Sequence, residues 1–103
     1  MRKIRNISPS EVLEEEFLKP MGITAYRLAK ELKIPQTRIS QIMKLKRKIS
    51  ADTALRLSKY FGTTPQFWLG LQNDFDLEEE SKLLQRVLAE IHTIKSSEVL
   101  TPI

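Results

Sequence analysis

A chain of 103 residues, 41% of them apolar, suffices for one folded domain with a short extra arm and is too apolar to be wholly disordered. Cysteine is absent, which excludes disulfides and thiolate metal sites and fits a reducing compartment. No apolar run approaches the roughly 18 residues that cross a bilayer, and no continuous apolar stretch follows the basic residues 1–5. Neither a membrane span nor a secretory signal is expected, and a cytoplasmic location is. The net charge of +4 is modest, but it is unevenly spread. Between Lys19 and Tyr60 eleven lysines and arginines stand against Glu31 and Asp52; from Asp76 onward three cations face six acids. A basic centre beside an acidic end suits a localised polyanion contact, although a solvated basic surface has the same composition.

Helix signals recur along the chain and strand signals are missing. Ser8, Pro9 and Glu11 read as a capping box with proline at the first helical position, and Ile7 and Val12 stand at staple spacing around it. This first helix turns Leu13 and Phe17 inward and stops near Lys19 and Pro20, with Gly22 available for a left-handed cap. Thr24 caps a short second helix with Ala25, Leu28, Ala29 and Leu32 on its inner side. After a brief break at Lys33 and Ile34, Pro35 opens a third helix reaching about Lys44. Ser50 caps a fourth, with Asp52 in its first turn favoured by the helix dipole. Leu55, Leu57, Tyr60 and Phe61 are read as its apolar positions, and Gly62 ends it. Thr64 and Pro65 start a fifth helix through Phe67, Trp68 and Leu71. Asp76, with Glu79 three residues on, is read as opening a sixth that runs to about Ile94.

Two short helices joined by a tight turn, with a small residue at Ala29 where they cross, form a helix-turn-helix arrangement. On a 100° wheel the third helix separates cleanly. Ile39, Ile42 and Met43 share one arc. Thr37, Ser40, Gln41 and Lys44 lie opposite, with Gln36 at the exposed N-terminal end, and no carboxylate or large apolar group interrupts them. Amides, hydroxyls and a lone cation are the groups that read base edges. Gln36, Thr37 and Gln41 are therefore candidate base readers, and Ser40 and Lys44 are shared between bases and phosphates. Arg38 falls at the edge of the polar arc, nearer Ile42, so a phosphate or dimer-interface role suits it at least as well as base reading. The loop cations Lys46, Arg47 and Lys48, and Thr24 at the start of the second helix, are placed to hold phosphate.

Several linked blocks carry a family resemblance. Residues 7–13 and 17–24 (ISPSEVL and FLKPMGIT) resemble the opening signature of HigA-type antitoxins, a branch of the phage-repressor-like helix-turn-helix proteins. Residues 34–42 (IPQTRISQI) resemble its recognition helix, and residues 46–57 and 61–72 its later blocks. Ser8 and Ser10 stand where the family has histidine and glycine, which leaves the capping box intact. Leu45 stands where the family has glycine before the basic loop. A leucine held left-handed is strained, which opens the way to a rearranged helix end and shifted places for Lys46 and Arg47. The resemblance implies an all-α, five-helix phage-repressor-like bundle with an additional C-terminal helix. It also implies a homodimeric repressor of its own operon, bound to near-palindromic double-stranded DNA, that silences a small basic mRNA-cleaving RNase toxin. A stand-alone regulator without a toxin is the alternative. The expected division is an N-terminal arm over 1–7, a DNA-binding domain over 8–75, a packing or dimerisation helix over 76–95 and a frayed tail over 96–103.

Trp68, Phe67 and Leu71 read as core or dimer interface more than as an exposed partner site. Leu84, Val87, Ile91 and Ile94 form an apolar stripe too short for an independent coiled coil, expected to pack on its own domain or a second subunit. The runs at residues 14–16 and 78–80 read as solvated acidic faces. His92, the sole histidine, has no ligand cluster beside it, and no nucleophile is paired with a base, so no metal, cofactor or enzymatic activity is expected.

Overall fold

Hydroxyls and prolines set the helix starts in the computed structural model, which describes residues 5–94. The expected tail over 96–103 lies outside the described residues. Ser8 Oγ accepts the Glu11 N–H at 3.3 Å and the Ser8 N–H donates to Glu11 Oε1 at 3.4 Å, completing the capping box. The first helical segment, α1, runs over residues 9–21: α-helical at Pro9–Val12, π-helical at Leu13–Leu18 and α-helical again at Lys19–Met21. It runs through Pro20 and ends at Met21, beside the expected stop, with Gly22 as its left-handed cap. Proline cannot donate to the carbonyl four residues back and its ring crowds that carbonyl. The wider π winding, in which the Lys19 N–H reaches the Glu14 carbonyl, makes room.

Thr24 Oγ1 accepts the Arg27 N–H at 3.1 Å and opens α2, Ala25–Leu32. Helix α3, Gln36–Met43, follows with Pro35 as its N-cap. Ser50 caps α4, Ala51–Phe61, and Thr64 caps α5, Pro65–Leu83. A short α6, Gln85–Glu90, completes the set, so the described residues are helical and without strands, as expected.

Three helix ends share one backbone solution. After α1, α2 and α3 the chain turns through a left-handed residue whose N–H bonds three residues back, while the next N–H bonds five back. The pairs are Gly22 to Lys19 with Ile23 to Leu18, Lys33 to Lys30 with Ile34 to Ala29, and Leu45 to Ile42 with Lys46 to Gln41. Only the first uses glycine. Lys33 and Leu45 adopt φ of 59° and 60°, conformations that disfavour a Cβ. The end of α3 is therefore not rearranged; Leu45 takes the glycine geometry itself.

The core joins all of the first five helices: Leu13 and Leu18, then Leu28, Ala29 and Leu32, then Ile39 and Ile42, then Ala54 and Leu57, and Trp68. Ile34 and Ile49 seal it from the connecting turns. Phe17 packs at a tilt against Phe61 and Trp68, with ring centroids 4.9 and 5.0 Å away. Trp68 is fully buried, and its Nε1–H donates to Thr63 Oγ1 at 2.7 Å. Within the single chain it is core.

Three expectations are corrected. Leu55 is 58% exposed, and Ala54 holds the core position beside Leu57, because residues 55 and 57 lie 200° apart on a helix. Leu55 instead borders an open groove of about 430 Å³ with Leu32 and Tyr60. No helix begins at Asp76: α5 continues through it to Leu83, no glycine or proline falling between Leu71 and Leu83. The break comes at Leu84, and helix ends at Glu90, short of Ile94. The apolar stripe does not pack on its own domain either. Leu84, Val87, Ile91 and Ile94 are 40–63% exposed, and every residue from 77 to 94 is exposed. The radius of gyration, 17.8 Å, exceeds the roughly 13 Å of a compact chain of this size because this arm projects.

Candidate nucleic-acid interface

The exposed face of α3 follows from where its isoleucines go. Ile39 and Ile42 are 0% and 2% exposed, Met43 is half-buried, and Leu28, Ala29 and Leu32 of α2 lie in the same core. That orientation leaves Gln36, Thr37, Gln41 and Lys44 exposed and Ser40 half-buried. The five candidate base readers thus lie along one helix flank with no acid among them. A bounded surface of two amides, two hydroxyls and one ammonium can donate and accept in alternation, as base edges require.

The flanking cations divide into engaged and unengaged groups. Among the described residues Lys44, Lys46 and Arg47 form no ion pair. Lys48 Nζ lies 3.1 Å from Asp76 Oδ2, and the Ile49 N–H donates to Gln72 Oε1 at 2.8 Å. Gln72 in turn donates to Asp76 at 3.0 Å. Asp76, read from sequence as a helix start, instead works with Gln72 to fasten the basic loop to α5. Thr24 stands exposed at the start of α2.

Arg38 is half-buried, and its Nη1 donates to Asp52 Oδ1 at 2.8 Å. The same carboxylate oxygen accepts from Arg56 Nε at 2.8 Å. The two guanidiniums, Arg56 first and Arg38 second, hold the Asp52 carboxyl below its ordinary range. Arg56 continues inward: its Nη1 donates to the carbonyls of Leu32 at 2.8 Å and Lys33 at 3.3 Å. Sequence reasoning placed Asp52 only in a first helical turn and gave Arg56 no role. Their i, i+4 spacing on a charged helix face was the available signal.

On the acidic side, residues 14–16 and 78–80 are exposed helix faces as expected. Part of that charge is used locally. Glu15 pairs with Lys19, and Glu79 accepts from Asn6 at 2.9 Å and lies near Lys82. Among the described residues no cluster of histidine and carboxylates could hold a metal ion.

The chain belongs to the Helix-turn-helix family, whose model matches residues 15–68, from the π-helical part of α1 to Trp68. Within that family it falls in the HigA-type branch. It is 36% identical to the Pseudomonas aeruginosa antitoxin HigA, solved with the higBA promoter, at a TM-score of 0.84 over 88% of this chain and 100% of that one. A HigA-family addiction module antidote protein from Coxiella burnetii is 42% identical, with a TM-score of 0.82 over 89% of this chain and 100% of that one. Virulence-associated protein I of Dichelobacter nodosus is 51% identical over 72 residues, 70% of this chain and 67% of its own length. The two solved relatives are described as an antitoxin and an antidote protein.

Proposed function

We propose that this chain is a sequence-specific DNA-binding repressor and the antitoxin of a type II pair, neutralising a small mRNA-cleaving toxin and repressing its own operon. The observation that carries the DNA reading is the carboxylate-free flank of α3, where Gln36, Thr37, Gln41 and Lys44 are exposed while Ile39 and Ile42 anchor the opposite side. Gln36, Thr37 and Gln41 read bases, and Ser40 and Lys44 serve bases and phosphates. Thr24, Arg38, Lys46, Arg47 and Lys48 orient the duplex through phosphates. The HigA neighbour solved with a promoter supports DNA binding as the role of this fold. The chain acts as a cytoplasmic, non-enzymatic homodimer on a near-palindromic operator. No described helix is long and apolar enough to cross a membrane.

The test is a mobility shift on the gene's own promoter with two classes of variant. Replacing Gln36, Thr37 or Gln41 by alanine lowers affinity by about 1–3 kcal/mol and relaxes specificity at one base pair. Removing the charge of Lys46 or Arg47 weakens binding to all duplexes alike and reduces the salt slope by roughly one for each phosphate no longer neutralised. Equal behaviour of both classes would defeat the assignment. Co-purification from the native operon decides the toxin half: a small basic protein travelling with the chain supports the antitoxin, and its absence leaves the stand-alone regulator.

A further inference from the structure

The turn between α2 and α3 fixes how the recognition helix leaves the body of the protein, and it is held in an unusual way. Its pivot, Lys33, is a left-handed non-glycine residue with φ of 59°. Such a conformation persists only where neighbouring structure over-determines it. The structure supplies that restraint from α4. Arg56 Nη1 reaches the carbonyls of Leu32 at 2.8 Å and Lys33 at 3.3 Å, at the C-terminal end of α2 where a cation is electrostatically favoured. Asp52, one turn earlier on α4, aims that guanidinium through its Nε at 2.8 Å. The same Asp52 oxygen takes Arg38 of α3 at 2.8 Å. One carboxylate therefore ties α4 both to the pivot of the turn and to the recognition helix itself.

These groups are partly exposed: the side chains of Arg38, Arg56 and Asp52 are 25%, 38% and 55% accessible. Ion pairs so placed add little to overall stability. Their geometry is another matter, because a recognition helix displaced by about 1 Å loses bidentate contacts to base edges while phosphate contacts, being less directional, adapt.

We propose that Asp52 and Arg56 are positioning residues for DNA recognition: without themselves reading bases, they set the pitch of α3 and so the discrimination between operator and other sequences. The inference rests on the DNA-binding reading above.

Asp52→Asn in the full chain, with Arg56→Lys as the second variant, tests it by titration against the gene's own promoter and a scrambled duplex at fixed salt. Circular dichroism and thermal melting establish that each variant is folded. Removing a negative charge from the chain favours binding to any duplex by simple electrostatics, so general weakening does not explain a loss of discrimination. The expected result is a promoter-to-scrambled affinity ratio about tenfold lower than that of the parent chain. Hydrogen exchange at the Lys33 and Ile34 amides, whose bonds to the Lys30 and Ala29 carbonyls form the turn, should accelerate more than exchange at the core of α4. An unchanged ratio in a folded Asp52→Asn chain overturns the inference while leaving the DNA reading intact. A parent chain that binds both duplexes equally overturns the DNA reading and the inference together.

Discussion

Leu45 illustrates how a single residue can depart from an expected pattern while the backbone does not. With φ of 60° and the Lys46 N–H bonded to the Gln41 carbonyl at 2.8 Å, it occupies the position that glycine would fill without strain. It is 55% exposed, so packing returns little for the conformational cost. Leu45→Gly should therefore raise stability by about 0.5–1 kcal/mol, a left-handed leucine costing about 1–2 kcal/mol and glycine giving some of that back in unfolded-state entropy. Chemical denaturation of the two chains measures it, and an equal or lower midpoint would show that the leucine is held by something more than the helix end. At this scale the sequence was informative wherever side-chain type alone settles the matter. Hydroxyl caps at Ser8, Thr24, Ser50 and Thr64 could be read directly. The partners of Arg38 and Trp68 could not, since Asp52 and Thr63 reach them through tertiary geometry and a backbone bend.

Among the elements, α2 and α3 were legible because a 3.6-residue period and a tight turn specify both their burial and their exposed flank. Ala29 is the hinge of that packing. It is 3% exposed in the shared core, and its carbonyl accepts the Ile34 N–H at 3.1 Å. Ala29→Leu should cost about 1–3 kcal/mol by overpacking and lower promoter affinity along with the melting temperature; an unperturbed chain would mean that the two helices do not approach closely there. The misread element is α5. Asp76 with Glu79 looks like a start signal locally, yet nothing before it stops the preceding helix. Start signals are informative only when the chain is free to be non-helical, and here Gln72 and Asp76 are drawn into bonds with the basic loop. The π-helical stretch of α1 was equally invisible, because its cause, Pro20, reads in sequence as a terminator.

At the scale of the molecule, the division of charge along the chain reappears as two regions: a basic one around α3 and its loop, and an acidic, apolar arm formed by the end of α5 and α6. Leu83, Leu84, Val87, Leu88, Ile91 and Ile94 are left at 40–77% exposure. Their periodicity was legible in the sequence but their destination was not, since an apolar stripe has the same pattern whether it meets its own domain or another chain. A homodimer on half-sites about one helical turn, 34–36 Å, or a multiple apart is the expected arrangement. Light scattering should give twice the chain mass, and inserting about five base pairs, half a helical turn, between half-sites should weaken binding; full affinity for one isolated half-site would oppose it.

A pH dependence of stability follows from the same distribution. Arg5 first, for Glu11, Arg56 first, for Asp52, and Asn6 first, for Glu79, hold these carboxyls below their ordinary values. Each lowered group stabilises the fold above its unfolded value and loses that contribution as pH falls through its folded one. Thermal melting should thus be flat on this account from neutral pH to about 5 and decline only below the usual carboxylate range near 4. A steep loss between neutral pH and about 5 would point to other groups.

Trp68 is the sole tryptophan of the chain, and it is sealed from solvent among Phe17, Phe61 and Phe67 with its indole N–H occupied. The protein consequently carries one built-in optical reporter of its own integrity. Its emission should be short-wavelength in the folded chain and shift to the red when the aromatic cluster opens. Unfolding can thus be followed without a label, by a chromophore set apart from the flank that would meet a nucleic acid.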